Sequence, residues 1–527
     1  MPFWDEWLFV PFLEKVAHGQ ATLDDWLAPN NEHVVLVPRI LLAGLAFTLG
    51  WNLWFGMAAS LLFATATALL LRRLSRSADS QGPLLLAADL ATALLVFSLV
   101  QWENWLWGMQ SAWFLVNLCV AVALLALRPG SASPPPRRIA VAAAACLVAT
   151  VTIGQGPFSW IALLPLVAWA PGGARARVVR VASWLGLSLA AFGLLLLGLR
   201  QIRHPPAAEA ALCDPLAVVQ FFFVLLGAPL GPDSDVAAWL GALLLVTVLV
   251  LGFASVRGAD RVAALPWCAL GAFAGMVAAA TAVSRFSKGL DYALSSRYAT
   301  NAVLLWIAAW QLTRLRLLHL PRPVARAATG ALLTALCAGL FVTSRGAISS
   351  ANAEYLRRSA AKACLELGAL LEPTRLNDGS RLYLFMRPAG VPQRLARLVE
   401  LGVRKTRPHP TFVRTGDGRA GVLTRASSAD AGTRGGETVA GWVMVEDRDH
   451  PPVLLLSANE GRSFIAALQV VAGVSPFGIH VRFNSPSVAE WEVPLEANGP
   501  RPHAQPVSAW RFEPGRNVIS RLAGATP

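Results

Sequence analysis

Between residues 53 and 345 the sequence is a succession of apolar runs separated by short, arginine-bearing loops. The runs cover 53–72, 84–101, 109–127, 138–153, 156–172, 179–199, 235–256, 263–284, 298–314 and 326–345. They make about ten candidate spans on the ~20-residue criterion for crossing a bilayer, with the two short middle ones tilted or paired. Hydrocarbon offers no hydrogen-bond partners, so an apolar segment there must satisfy its backbone internally, as an α-helix. Of the 527 residues, 55% are hydrophobic and 14% charged, against about 25% charged in soluble domains. The depletion is confined to this region, and 346–527 reads as an ordinary soluble domain.

The loops alternate in character. One set carries Arg72, Arg73 and Arg76; Arg128, Arg137 and Arg138; Arg175, Arg177 and Arg180; Arg257 and Arg261; and Arg314, Arg316, Arg322 and Arg326, opposed only by Asp79 and Asp260. The other set, 1–34, the Glu103 loop, 200–234 and 284–297, is acidic or mixed. The positive-inside rule puts the first set in the cytoplasm and the second outside, so the N-terminal loop and the tail from 346 share the extracytoplasmic side. The stretch "VVLVPRILLAGLAFTLGW" (34–51) then reads as a helix half-embedded at the outer interface, with Pro38 in its first turn and Gly50 ending it. Trp51 and Trp54 are expected to anchor it. The net charge of +14 lies mostly in the loop arginines, and no basic face with interleaved aromatics points to nucleic acid.

The tail begins with a helix over about 350–372 and continues as apolar-alternating runs broken by turn residues: "TVAGWVMVED", "PPVLLLSA", "GIHVRFNS", "AEWEVPL", "VSAWRFEP" and "NVISRL". Period-2 strands at such spacing suggest a small β-sandwich. The expected fold is an α-helical polytopic membrane protein with a C-terminal, extracytoplasmic β-rich domain. Its expected divisions are an N-terminal loop with interfacial helices (1–52), a transmembrane domain (53–345) and the soluble domain (346–527). No nucleophile motif, glycine-rich phosphate loop or metal-ligand spacing occurs in the tail.

Charges beside hydrocarbon are expensive and tend to be functional, and three polar clusters fall on the outer side. The first, in "FWDEWLFVPFLEKVAHGQATLDDWLAPNNEHVVLVPR", holds Asp5, Glu6, Asp24, Asp25, Glu32, His33 and Arg39. The second, "QWENWLWGMQ", holds Glu103, Asn104 and Gln110 within an aromatic belt. The third, "SRFSKGLDYALSSRYAT", holds Arg285, Lys288, Asp291, Arg297 and Tyr298. Asp24 and Asp25 also read as first-turn acids of a short helix begun by Thr22, and Trp4 and Trp7 as interfacial anchors beside Asp5. Asp89, inside a span, is expected near its cytoplasmic end or bonded to a neighbouring helix.

These stretches, with "TIGQGPFSWIALLPLVAW" (152–169) and "SSRYATNAVLLWIA" (295–308), resemble the GT-C superfamily of integral membrane glycosyltransferases, and more closely poorly characterised bacterial GT-C-like membrane proteins. The resemblance covers roughly 1–345 and rests on the order of short motifs. It implies transfer of a sugar from a polyprenyl-phosphate-linked donor to a cell-envelope glycan or lipid acceptor, at the outer face of the bacterial inner membrane. The superfamily's acidic motif maps onto Asp5, with Glu6 as neighbour or substitute, to take the acceptor's proton. Arg285, Lys288, Arg297 and Tyr298, with Arg39, would hold the donor phosphate. Glu32, His33, Glu103 and Gln110 would contact substrate. Some members use a divalent metal and others none, and both remain open on these residues. The superfamily places a full span before its acidic loop, so a further helix upstream of Met1 is expected. Two other readings stand beside this one: a transporter or flippase of lipid-linked glycan, and a non-catalytic glycan-binding relative.

Overall fold

The computed structural model describes residues 2–31, 33–76, 82–130, 134–199, 207–367, 391–404, 411–426, 438–446, 452–457, 464, 466–469, 473–474, 480–485, 488–494, 508–513, 516 and 518–524. The helices are α1 (Val10–Ala17), α2 (Leu23–Leu27), α3 (Leu36–Leu49), α4 (Leu53–Ser75), α5 (Pro83–Val96), α6 (Trp102–Leu106), α7 (Ser111–Ala126), α8 (Pro136–Thr150) and α9 (Phe158–Trp169). They continue with α10 (Ala174–Leu199), α11 (Ala207–Cys213), α12 (Pro215–Gly227), α13 (Ser234–Arg257), α14 (Arg261–Arg285), α15 (Ser296–Leu317), α16 (Arg322–Glu366) and α17 (Val391–Glu400). The chain divides into two units: Lys15–Ala351, and Met1–Glu14 together with Asn352–Pro527. The first fourteen residues therefore belong with the tail rather than with the loop that follows them.

Seven helical segments of the described residues are long and apolar enough to cross a membrane: Leu53–Ser75, Pro83–Leu106, Gly108–Ala126, Ala174–Leu199, Ser234–Arg257, Arg261–Lys288 and Arg322–Tyr355. This is the signature of a multi-pass membrane protein. The other three expected spans differ for identifiable reasons. The runs at 138–153 and 156–172 become α8 and α9, 15 and 12 residues long, because the turn at 151–157 reverses the chain between them. The run at 298–314 becomes α15, 22 residues with Arg297, Arg314 and Arg316 at its ends, buried along most of its length by its neighbours.

Residues 200–234, expected as a mixed loop, contain a further apolar helix. Asp214 caps α12 by accepting from Ala217 N–H at 3.1 Å, and the helix folds back on α13. A Cβ at Gly227 would stand 1.8 Å from the Ala237 carbonyl oxygen, and one at Gly241 1.9 Å from that of Phe223. Only glycine lets the two backbones come so close, which is how apolar helices associate where burial against lipid gains nothing.

Loops sorted by charge in the sequence meet at one end of this unit. The Arg72 Nε donates to Asp89 at 3.0 Å, Arg76 lies 3.5 Å from the same carboxylate, and Arg314 Nη2 donates to the Ser75 carbonyl at 3.5 Å. Asp89 thus bonds a neighbouring helix, as expected. Arg138 and Arg180 close helix C-termini by donating to the carbonyls of Ala126 (2.7 Å) and Ala170 (2.6 Å). At the start of the chain α3 has its expected form, with Pro38 in the first turn and Gly50 left-handed at φ 63°. Trp54 is exposed, but Trp51 is buried, so only the former can anchor that helix from outside.

In the other unit, nine strands of the described residues form one hydrogen-bonded sheet. After the short pair β1 (Pro29–Asn30) and β2 (His33–Val34) of the first unit come β3 (Thr411–Ala426), β4 (Thr438–Met444), β5 (Val453–Ser457), β6 (Ala466–Gln469), β7 (Gly473–Val474), β8 (His480–Ser485), β9 (Val488–Pro494), β10 (Ser508–Glu513) and β11 (Val518–Gly524). The sheet order is β6-β5-β10-β11-β3-β4-β9-β8-β7, antiparallel except for β11 with β3. Where the strand spacing suggested two packed sheets, the hydrogen bonding is continuous through the 16-residue β3, which pairs β11 along its length and β4 at its end. Arg511 on β10 reaches Glu446 just beyond β4 at 3.5 Å, and Glu513 at 3.2 Å. Two strands separate β10 from β4 in the sheet order, so this ion pair requires the sheet to curl. Leu367, Phe464, Trp510, Phe512 and Ile519 fill its core.

Candidate functional site

The second end of the helical unit is polar in a different way, through amides and one cationic strap rather than an arginine collar. The short helix α6 lies across the N-terminus of α15. Glu103 Oε2 accepts from Ser296 Oγ at 2.7 Å and from Arg297 N–H at 3.1 Å, and the Ser296 hydroxyl also lies 3.2 Å from Glu103 N. A carboxylate there satisfies orphan donors and complements the helix dipole. Asn104, fully buried, donates from Nδ2 to the Arg297 carbonyl at 2.8 Å and to Thr300 Oγ1 at 2.6 Å.

The Arg297 side chain is held by aromatics. Its Nη2 donates to the Tyr292 hydroxyl at 2.7 Å, and the guanidinium lies 5.2 Å from the Tyr292 ring and 5.5 Å from that of Tyr298. Arg297 Nε is buried and has no hydrogen-bond partner among the described residues. Tyr298 is buried against Trp113, with ring centroids 6.1 Å apart. Lys288 is exposed, and Arg285, at the C-terminus of α14, donates to the Ser284 carbonyl at 3.2 Å. Arg285 thus ends α14, Lys288 lies in the turn that follows, and Arg297 and Tyr298 open α15.

Residues from three other runs join them, and sequence reasoning passed over most of these. Asn117, inside α7, donates to the Thr300 carbonyl at 3.0 Å. Asn301 donates to Gln155 Oε1 in the α8–α9 turn. His33 packs closely against that turn: a Cβ at Gly154 would stand 2.3 Å from its Nδ1. The signal was present as isolated amides within apolar runs, "FLVNLC" and "YATNAV", which are costly in hydrocarbon unless paired. Gln110 is buried just ahead of α7, and Glu32 lies outside the described residues.

Other expected site residues have structural duties. Arg39 is buried and donates to the carbonyls of Asp25 and Ala28, both at 2.8 Å, tying α3 to the end of α2. It acts as a brace for the N-terminal segment. Asp24 and Asp25 begin α2 behind Thr22, as expected; Asp25 accepts from Thr22 N–H at 2.9 Å and pairs with Lys15 at 2.6 Å. The Lys15 ammonium first, and Thr22 second, hold its carboxyl down at about 2.

Asp5 and Glu6 belong to the unit that contains the tail. Glu6 is 1% exposed and accepts from Phe3 N–H at 2.8 Å, closing the first turn of the chain. Trp7 is fully buried, not an interfacial anchor, and its carbonyl accepts from Arg394 of α17 at 3.0 Å. Arg358 stacks on Phe3 at 3.5 Å, and Arg397 lies 3.7 Å from Glu14. Asp5 is partly exposed.

Beside the polar end of the helical unit is an apolar groove of about 300 Å³. Trp102, Trp105 and Leu106 of α6 form one wall, with Leu61 of α4, Phe97 and Ile348 of α16 among the others. Trp105 is fixed by stacking on Phe114 at 4.3 Å and by donating to the Ser98 carbonyl at 3.1 Å. The five residues of α6 thus present indole and leucine to the groove while Glu103 and Asn104 bond α15. Among the described residues, no three His, Cys, Asp or Glu side chains converge as metal ligands. No family model matches the chain, and searches of curated proteins and of solved structures found no match.

Proposed function

We propose that this protein transfers a sugar from a polyprenyl-phosphate-linked donor to a cell-envelope acceptor at the outer face of the bacterial inner membrane. The observation that carries the reading is the double character of α6, with an apolar groove on one side and the Arg297 cluster on the other. A lipid-linked phosphate has the same two parts, a hydrocarbon chain and an anion. In this reading the chain lies along Trp102, Trp105 and Leu106, and the phosphate takes the unused Arg297 Nε donor, with Arg285 and Lys288 adding charge. Departure of a lipid phosphate develops negative charge, which a fixed guanidinium stabilises more in the transition state than in the ground state. Asp5, with Glu6 as neighbour or substitute, is assigned the acceptor's proton by the resemblance of the acidic motif. The arginine-rich loops support an extracytoplasmic position for the α15 loop and the tail in this reading, by the positive-inside rule.

The test is the full chain reconstituted in proteoliposomes with radiolabelled polyprenyl-phosphate sugars and a membrane extract as acceptor. The wild type is expected to move label from lipid to acceptor, and Arg297→Ala to lower the rate by roughly 10²–10³-fold. Folded, monodisperse wild type that moves no label from any donor overturns the reading.

A further inference from the structure

Three guanidiniums gather round one carboxylate at the other end of α15 from Arg297. Arg297 opens that helix and Arg314 lies in its last turn, about 25 Å away along the axis. Arg72 Nε donates to Asp89 at 3.0 Å, and Arg76 Nη2 lies 3.5 Å from the same oxygen. Arg314 is buried and within electrostatic reach of Asp89. It is fixed by donating from Nε to Gln311 Oε1 at 3.0 Å, and Gln311 donates in turn to Thr92 of α5 at 3.4 Å. Among the described residues, these three cations share a single carboxylate, so positive charge is in excess here.

Two of the three can take a further partner. The Arg72 and Arg76 side chains are 47% and 51% exposed, and each turns one nitrogen to Asp89. A guanidinium carries five N–H donors in a planar fork that matches phosphate oxygens, so both keep donors for a second anion. Burying Arg314 against a carboxylate already shared with two other arginines is costly, and a second anion nearby offsets that cost.

The surface running inward from these arginines is apolar. On α4, Leu62, Leu69 and Arg76 recur every seven residues and so share one face, with Arg72 beside them. Both leucines are exposed. On α5, which packs against α4, the exposed Leu86 and Leu90 flank Asp89. From Arg72 to Leu62 is about 15 Å along α4, half of the ~30 Å hydrocarbon thickness of a bilayer. A phosphate with a hydrocarbon chain one leaflet deep covers both parts. A free phosphate would meet the cations and leave the leucines bare.

We infer that Arg72 and Arg76 hold the headgroup phosphate of an anionic phospholipid, whose acyl chain lies along Leu69 and Leu62 of α4 and Leu90 of α5. A zwitterionic headgroup brings an ammonium towards two guanidiniums, so a net anionic headgroup is preferred. These residues take no part in the proposed sugar transfer.

The test uses the delipidated full chain in an uncharged detergent, with bound lipid counted by native mass spectrometry. The probes are phosphatidylglycerol and phosphatidylethanolamine, with inorganic phosphate as competitor. Wild type is expected to bind phosphatidylglycerol at least ~10-fold more tightly than phosphatidylethanolamine, and millimolar phosphate is expected not to displace it. Arg72→Gln with Arg76→Gln is expected to erase that excess while keeping the affinity for phosphatidylethanolamine. Arg175→Gln with Arg177→Gln removes the same charge from exposed positions on α10 and should leave the preference intact. Equal binding of the two lipids by wild type overturns the inference. So does an unchanged preference in the first double variant, or an equal loss in both double variants. Displacement by phosphate overturns the lipid as occupant. Should the first double variant fail to fold, Arg76→Gln alone decides, with a ~3-fold loss of preference expected and a preference kept in full overturning the inference.

Discussion

Glu103 and Ser296, 193 residues apart, share a 2.7 Å hydrogen bond that fastens α6 to the first turn of α15. The same carboxylate accepts from Arg297 N–H at 3.1 Å, so the backbone that carries the principal cation is positioned by an acid from another helix. Glu103, expected from its sequence context to touch substrate, fastens the first turn of α15 through Oε2.

Replacing Glu103 tests that assignment. Glu103→Gln keeps the shape and loses the charge at a helix N-terminus, with an expected cost of about 1–2 kcal/mol. Thermal unfolding in detergent should show it, and Glu103→Ala should cost more. Equal stability of Glu103→Ala and wild type would mean that the carboxylate does not brace α15.

Arg39 and Arg297 should separate in their effects. Arg39→Ala leaves two partly buried carbonyls without their donor and should lower stability by roughly 1–3 kcal/mol, with transfer per folded molecule preserved. Arg297→Ala should do the reverse, losing transfer with a smaller change in melting temperature. If Arg39→Ala instead removes transfer from a fully stable protein, Arg39 belongs to the site.

The α12–α13 contact should be intolerant of a single methyl. Gly227→Ala drives a Cβ to 1.8 Å from a carbonyl oxygen and should destabilise by about 2–4 kcal/mol. Gly186→Ala, in α10, meets nothing within 4 Å and should be neutral or slightly stabilising. Similar melting temperatures for the two variants would refute the close approach.

Acid should release α2 before the rest. The Asp25 carboxyl is held down at about 2 by Lys15 and then Thr22, while an unfolded aspartate titrates near ~3.9. Because the folded value is the lower one, its contribution is complete above about pH 4 and is lost as pH falls towards about 2. Hydrogen exchange of residues 23–27 should rise across that interval in wild type. Asp25→Asn should exchange fast at every pH; protection in that variant equal to wild type at pH 7 would contradict the linkage.

The polytopic helices, α3 with Pro38 in its first turn and Gly50 at its end, the cap at Thr22 and six of the nine described tail strands were legible from residue order. Each depends on neighbours within a turn or a strand: run length against bilayer thickness, proline at a helix start, alternation with period two. The length of α15 and the pairing of α8 with α9 were half legible, since apolar runs there were broken by arginine or by the turn at 151–157. The apolar helix α12 was hidden because its 13 residues fall short of a span and follow a charged stretch.

By itself the sequence determined where helices form, where polar side chains interrupt them, and which loops are rich in arginine. Only the tertiary structure decided that Asn104, Asn117 and Gln155 meet Thr300 and Asn301, that Glu103 serves α15, and that the first fourteen residues pair with the tail. The reason is physical: helix formation and hydrocarbon burial are summed over adjacent residues, whereas a buried amide is satisfied by whichever group folding brings within ~3 Å. That partner can lie on any helix, and nothing local to "FLVNLC" or "YATNAV" says which.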